Sequence, residues 1–197
     1  MSRIVILLDE SGSMFSQKYD VIDGVNTIIN QQRKLQKKDI YLDIIKFNTG
    51  VTNVSSKKLS QTPCFTSNEY NPNGGTALYD AVGGVINKYK NDPAVTMIIT
   101  TDGMENSSRE YKHTDMVKLI EEQRKLKDWK FIYLSEDPTT VQQGYTMGLN
   151  NTYGTSNSCI GRGQTGQHMQ TGLFNKYVGE CSQGYTNLSY DTWKTKM

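Results

Sequence analysis

Apolar residues fall along this chain in two alternating rhythms. Short runs of β-branched and aromatic residues, bounded by charges, occur at "RIVILL" from Arg3, "IYLDIIKF" from Ile40, "VTMIITT" from Val95 and "KFIYL" from Lys130. Runs of this length and content favour buried strands. Between them the period turns helical. Ile22, Val25 and Ile29 mark one face of a helix expected from about Ser16 to Gln36. Leu78, Ala81, Val82, Val85, Ile86 and Tyr89 follow the i, i+3, i+4, i+7 stripe of an amphipathic helix. "TDMVKLIEEQRKL" from Thr114 repeats it behind a polar cap.

Strands alternating with helices predict an α/β domain of doubly wound, Rossmann-like type, its mostly parallel sheet covered by helices on both faces. "VTNVSSKKL" follows the second strand after a short "NTG" turn and reads as an antiparallel edge strand whose lysines guard the edge. A last short strand near Asn151 to Gly154 brings the expected sheet to six strands.

Two segments break the rhythm. About sixteen residues from Ser60 to Gly75 show no period, and a loop of that length is usually functional or disordered. After Asn150 the chain is rich in Gly, Asn, Ser and Thr, yet Met169, Leu173, Phe174, Tyr177 and Val178 share a helical face, which predicts a closing helix over about Gly166 to Glu180. Residues 1–197 are read as one domain, with a core over 3–155 and a tail over 181–197.

Composition narrows the partners. The 22 basic and 20 acidic side chains nearly cancel, so no overall field holds this chain to nucleic acid or an anionic membrane. The N-terminal apolar run is too short for a signal peptide, and no run reaches the roughly 20 apolar residues that cross a bilayer. Cys64, Cys159 and Cys181 are an odd number without metal-ligand spacing, which predicts free thiols in the cytoplasm.

The chemistry gathers at strand ends. Asp9 directly follows the first strand and Asp102 the "VTMII" strand; with a strand order of 3-2-1-4-5-6 these two flank the crevice where ligands bind in doubly wound sheets. "DESGSM" adds the hydroxyls of Ser11 and Ser13, with Gly12 free to curl the turn. Oxygen donors without cysteine or histidine suit a hard divalent cation such as magnesium and make zinc improbable.

These residues resemble the von Willebrand factor A domains that carry a metal-ion-dependent adhesion site. The family pattern is Asp-x-Ser-x-Ser after the first strand, a threonine from a middle loop and an aspartate after the fourth strand. "DESGSM" offers Asp9, Ser11 and Ser13, "YNPNGGTALYDAV" offers Thr76, and "TTDGMENSSR" offers Asp102. "GGTALYDA", "TDGMENSS" and "WKFIYL" look like the stand-alone bacterial and phage members, and the likeness spans roughly Arg3 to Ser135. It implies Mg2+ or Mn2+ held by Asp9, Ser11, Ser13, Thr76 and Asp102, the hydroxyls coordinating and the aspartates acting partly through water. One position is then left open for an Asp or Glu carboxylate of a partner protein.

Neighbouring features read more plainly. Glu10 and Glu105 sit at spacer positions and are expected to face solvent. Met14, Phe15, Tyr79 and Met104 either form an apolar rim that selects the partner or pack locally; both readings stand. "GRGQTG" at 161–166 matches a dinucleotide fingerprint but has no βαβ unit behind it, and reads as a loop before a helix. His113 and His168 lack partners for ligation or catalysis, and Trp129 is assigned to packing.

Three functions fit such a site. A metal-dependent protein-binding module needs only the ligands and the open position. A magnesium-dependent phosphatase with Asp9 as nucleophile needs a second aspartate two positions on to protonate the leaving group; Ser11 stands there, and no nearby His or Lys replaces it, so no enzyme is expected. Self-association through the open metal position is compatible with the same residues, and the sequence does not decide between it and hetero-binding.

Overall fold

The computed structural model describes residues 2–34, 40–135, 137–149 and, for the backbone, 152–154. Six strands form one sheet: β1 (Ser2–Asp9), β2 (Ile40–Phe47), β3 (Val51–Lys58), β4 (Ala94–Thr100), β5 (Asp128–Ser135) and β6 (Thr152–Gly154). Their order is β3-β2-β1-β4-β5-β6, and all pairings are parallel except β2 with β3. The expected sheet, its antiparallel edge and the short last strand are all present. The expected closing helix over 166–180 lies outside the described residues.

The alternation of side chains along β1 explains why its sequence is continuously apolar. Ile4, Ile6 and Leu8 point into one core with Val21, Ile22, Val25, Ile28 and Ile29 of α1 (Lys18–Lys34). Val5 and Leu7 point the other way, among residues of α2 (Leu78–Tyr89) and α3 (His113–Leu126). A parallel strand covered on both faces needs an apolar residue at every position. β3, at the edge, is the opposite case: its residues are exposed or half-buried, and Lys57 and Lys58 face solvent.

Helix limits shift slightly from expectation. Residues Gly12–Gln17 form a 3-10 turn before α1 begins, so the start of the expected helix is wound more tightly. A fourth helix, α4 (Pro138–Thr146), was not anticipated. Asp137 caps it, accepting from Thr139 N at 2.7 Å and Thr140 N at 3.2 Å, with proline at its first position. It buries Thr140, Gln143 and Gly144, a polar face without the apolar stripe that marks the other helices.

The long segment after β3 is packed. Phe65 and Tyr70 are buried in the α1-side core, and the Asn26 amide on α1 both donates to Phe65 O at 2.9 Å and accepts from Phe65 N at 2.8 Å. Among the described residues no helix is long and apolar enough to cross a membrane.

At the amino ends of the strands, Arg3 donates to the fully buried Asp43 at 2.5 Å and to Asp92 at 2.6 Å, and its guanidinium lies 4.2 Å from the centre of the Tyr89 ring. Tyr89 donates to the other Asp43 oxygen at 2.8 Å. Removing the cation strands a carboxylate that has no access to water. Arg3→Met is therefore expected to lower stability by about 3–5 kcal/mol in urea unfolding, with part of the loss recovered by adding Asp43→Asn.

Candidate functional site

β1 is flanked by β2 on one side and β4 on the other. The chain leaves β1 toward α1 on one face and leaves β4 toward α3 on the other, so the two loops part and a crevice opens between them. Asp9 ends β1 with no exposure. Its Oδ1 accepts from Ser11 N at 2.7 Å, a local turn that points the serine back toward the carboxylate. Ser11 Oγ lies 3.1 Å from Ser13 Oγ, and Ser13 Oγ donates to Asp102 Oδ1 at 2.8 Å. The first loop and the loop after β4 are thus joined by hydroxyls.

Thr76 enters from the third loop and is buried. Its backbone does the positioning: Thr76 N donates to Asn106 Oδ1 at 2.9 Å, and Thr76 O accepts from Asn106 N at 3.0 Å and Ser107 N at 3.2 Å. Gly103 marks where the three loops meet. A Cβ there would lie 2.5 Å from Thr76 Oγ1, 3.0 Å from Asp9 Oδ2 and 3.3 Å from Ser11 Oγ. Three oxygens from two loops crowd one backbone position that only glycine leaves open. The five residues singled out by sequence are therefore brought together: Asp9, Ser11 and Thr76 around Gly103, and Ser13 with Asp102 beside them.

Burial raises the Asp9 carboxyl above its ordinary value, partly offset by hydrogen bonds from Thr101 and Ser11, and burial likewise raises Asp102. Among the described residues no Lys, Arg or His pairs with either carboxylate, and no three His, Cys, Asp or Glu side chains form a metal-binding group. A cation held here would rest on hydroxyls as much as on charge. The donor set is oxygen only, which suits a hard divalent ion.

Several supporting residues were not visible in the sequence. Buried Thr101 donates from Oγ1 to Asp9 Oδ2 at 2.5 Å and accepts from Gly103 N at 3.0 Å, so it braces carboxylate and glycine together. Its place just before Asp102 in "TTDG" is the only signal it carries. The Tyr70 hydroxyl donates to Asp9 O, and burial holds its phenol well above the ordinary range. Gln143, on the unanticipated α4, accepts from Glu105 N at 2.8 Å and donates to Tyr133 Oη at 3.1 Å.

The two spacer glutamates do not face solvent as expected. Glu10 is buried: its Oε1 accepts from Lys46 Nζ at 2.7 Å and Asn71 N at 2.6 Å, tying the first loop to the long one. Glu105 is half-buried, accepting from Ser107 N, Ser108 N and Tyr79 N at 2.8–2.9 Å, so it satisfies a free N–H at the start of α2. Asp80 answers from α2, accepting from Arg109 N, Glu110 N and Tyr111 N at 2.8–2.9 Å. Both glutamates are consumed by backbone donors that no sequence period reports. Of the four flanking apolar residues, Phe15 and Met104 are exposed, whereas Met14 is buried under α1 and Tyr79 packs on the α2 side. His113 lies edge-on to Tyr79 with ring centres 6.1 Å apart, and Trp129 packs beside Phe131.

At the level of sequence, no family model and no curated protein matches the chain. Solved structures do. The chain is similar to the von Willebrand factor type A protein from Catenulispora acidiphila (TM-score 0.65, 17% identity, covering 93% of this chain and 43% of that one). It is similar to the pilus adhesin SpaC from Lactobacillus rhamnosus GG in its open conformation (TM-score 0.68, 13% identity, 93% of this chain and 30% of that one). It also resembles the VWA domain of SpRpn10 (TM-score 0.56, 12% identity, 84% of this chain and 99% of that one). The chain spans less than half the length of the first two. At these identities the likeness is one of fold: the chain has the von Willebrand factor A fold.

The Thr101 hydrogen bond and the raised carboxyls each carry a prediction. Thr101→Val keeps the shape and removes the donor to a buried carboxylate, so unfolding stability should fall by roughly 1–3 kcal/mol. A carboxyl raised on folding binds more protons in the native state, so without divalent ions its contribution declines as pH rises from the ordinary carboxylate range through the raised value. Urea unfolding of Asp102→Asn over that window should show a shallower decline with pH than the wild type.

Proposed function

We propose that this chain is a protein-binding module whose site holds one Mg2+ or Mn2+ ion and joins it to an Asp or Glu carboxylate of a partner protein. The observation that carries this reading is the cradle at Gly103, where Thr76 Oγ1, Asp9 Oδ2 and Ser11 Oγ crowd one point near Asp102, neither carboxylate having a cationic partner among the described residues. Ser11, Ser13 and Thr76 would hold the ion, with Asp9 and Asp102 acting partly through water, so that neutral hydroxyls would be its direct ligands. Such an ion supplies a poorly neutralised positive charge that attracts an incoming carboxylate.

This chain's own residues do the rest. The Ser13 hydroxyl donates a hydrogen bond to Asp102, which leaves the oxygen lone pairs of Ser13 directed away from that carboxylate. Thr101 and Ser11 N occupy both oxygens of Asp9 and fix its orientation. Phe15 and Met104, exposed and adjacent in sequence to site residues, offer apolar contact to the partner.

Hydrolysis is not proposed. Ser11 stands where a phosphatase of related scaffold needs an acid, Lys46 is engaged by Glu10, and His113 is packed against Tyr79. A place in the cytoplasm is supported by Cys64, exposed and in no disulfide among the described residues.

Calorimetry should detect one divalent site in the wild type. Ser13→Ala should weaken it by at least about tenfold with an unchanged circular dichroism spectrum, because a ligand is lost and the backbone turn remains. In affinity capture, EDTA, Asp9→Ala and Thr76→Ala should each remove the same partner, with phosphatase and nucleotide-hydrolysis assays at background. Metal-dependent turnover lost in Asp9→Asn would overturn the reading, as would partner binding that persists in EDTA. Light scattering that showed oligomers only with magnesium would assign the site to self-association instead.

A further inference from the structure

Asp102 is gripped on both oxygens by the 3-10 turn that follows the first loop. Ser13 Oγ donates to Oδ1 at 2.8 Å, and Gln17 Nε2 donates to Oδ2 at 2.8 Å. Ser13 belongs to the hydroxyl set already described. Gln17 does not: it is the last residue of the turn, it was not among the residues singled out by sequence, and its amide reaches the site across 85 positions of chain. The other carboxylate is treated alike, since Asp9 gives Oδ1 to Ser11 N and Oδ2 to Thr101 Oγ1. Each carboxylate therefore has both oxygens held by donors of the protein.

We infer that Gln17 is a positioning residue that keeps Asp102 from binding a cation with both oxygens, and so sets the preference of the site for magnesium over calcium. The inference rests on the metal-binding reading above and names what makes that site selective. Calcium takes six to eight oxygens at flexible distances and commonly recruits a carboxylate through both oxygens, whereas magnesium takes six at short distances and retains water. Ser13 and Gln17 each take one lone pair of an Asp102 oxygen and between them fix the plane of the carboxylate, so turning both oxygens toward one ion means reorienting the group against those two bonds. The loss falls on calcium, which gains most from a bidentate ligand. Gln17 suits the task because its amide is neutral: a lysine there would cancel the charge that Asp102 lends to the ion, and a shorter side chain would not span the gap. Partners that orient a metal-bound carboxylate are worth roughly 10–100-fold in affinity.

The test compares magnesium and calcium binding by calorimetry in the wild type and in Gln17→Met, which keeps length and flexibility but removes the donor. The expected result is a rise of about tenfold in calcium affinity relative to magnesium. Melting temperature in EDTA and near-ultraviolet circular dichroism should stay close to wild type. A purely structural role would weaken both ions alike, and an unchanged ratio of affinities in Gln17→Met overturns the inference while leaving the metal site intact. Gln17→Glu provides a second variant, since a carboxylate there cannot donate to Asp102 and adds oxygens, so calcium should gain again. Should the wild type bind neither ion, the metal-binding reading fails and this inference fails with it.

Discussion

Two carboxylates stand at the carboxyl ends of adjacent strands, both raised by burial and neither paired with a cation among the described residues. Most of the surrounding structure can be understood as the means of holding them there. Desolvation disfavours the charged form of Asp9, and it is partly offset by hydrogen bonds from Thr101 and Ser11. A residue this costly in isolation is retained where a further charge, or a function, makes use of it. The opposite end of the sheet shows the contrast: buried Asp43 sits beside Arg3 and Tyr89, a carboxylate satisfied entirely from within the chain.

Although Met14, Phe65 and Tyr70 do share one core cluster, the three loops of the site are held by more than apolar packing. They are held by side-chain carboxylates and amides that accept from backbone N–H groups: Glu10 from Asn71, Glu105 from Ser107 and Ser108, Asp80 from Arg109 to Tyr111, and Asn106 from Thr76. The bonds to the carboxylates are charge-assisted and stronger than a neutral one such as that to Asn106, and all of them satisfy loop donors that have no strand or helix partner. Gly75 is part of the same arrangement, since a Cβ there would come within 2.3 Å of Ser107 Oγ. The apolar sheet supplies the platform, and the polar bracing sets where each hydroxyl sits on it.

That division explains what was legible in the sequence. The strands, their order and the antiparallel edge follow from runs of apolar residues, because burial on one face or two leaves a period that can be read directly. Asp9, Ser11, Ser13 and Asp102 could be singled out because their motifs follow strands, and Thr76 only because it completes the family pattern; the structure brings the five near one another. Thr101, Gln143 and Tyr70 were not legible, since each acts on the site through a hydrogen bond to a residue far away in the chain, Asp9 for Thr101 and Tyr70 and Glu105 for Gln143. Glu10 and Glu105 were misread because loop backbone N–H groups that no sequence period reports turn them inward, Asn71 for Glu10 and Ser107, Ser108 and Tyr79 for Glu105. The helix carrying Gln143 escaped notice because it buries threonine, glutamine and glycine and has almost no apolar stripe, although "DPTT" spells out its cap.

The segment from Ser60 to Gly75 has no period, yet it is fastened at three separate points: Phe65 to Asn26, Tyr70 to the backbone of Asp9, and Asn71 and Asn73 to Glu10. Fastenings of this kind remove conformational freedom before any encounter takes place. A partner bound as proposed would meet, in this segment, a wall already in its final shape with nothing of that segment left to order. Its speed of capture there would be set by diffusion and orientation, and the lifetime of the complex by how fast the contacts are released.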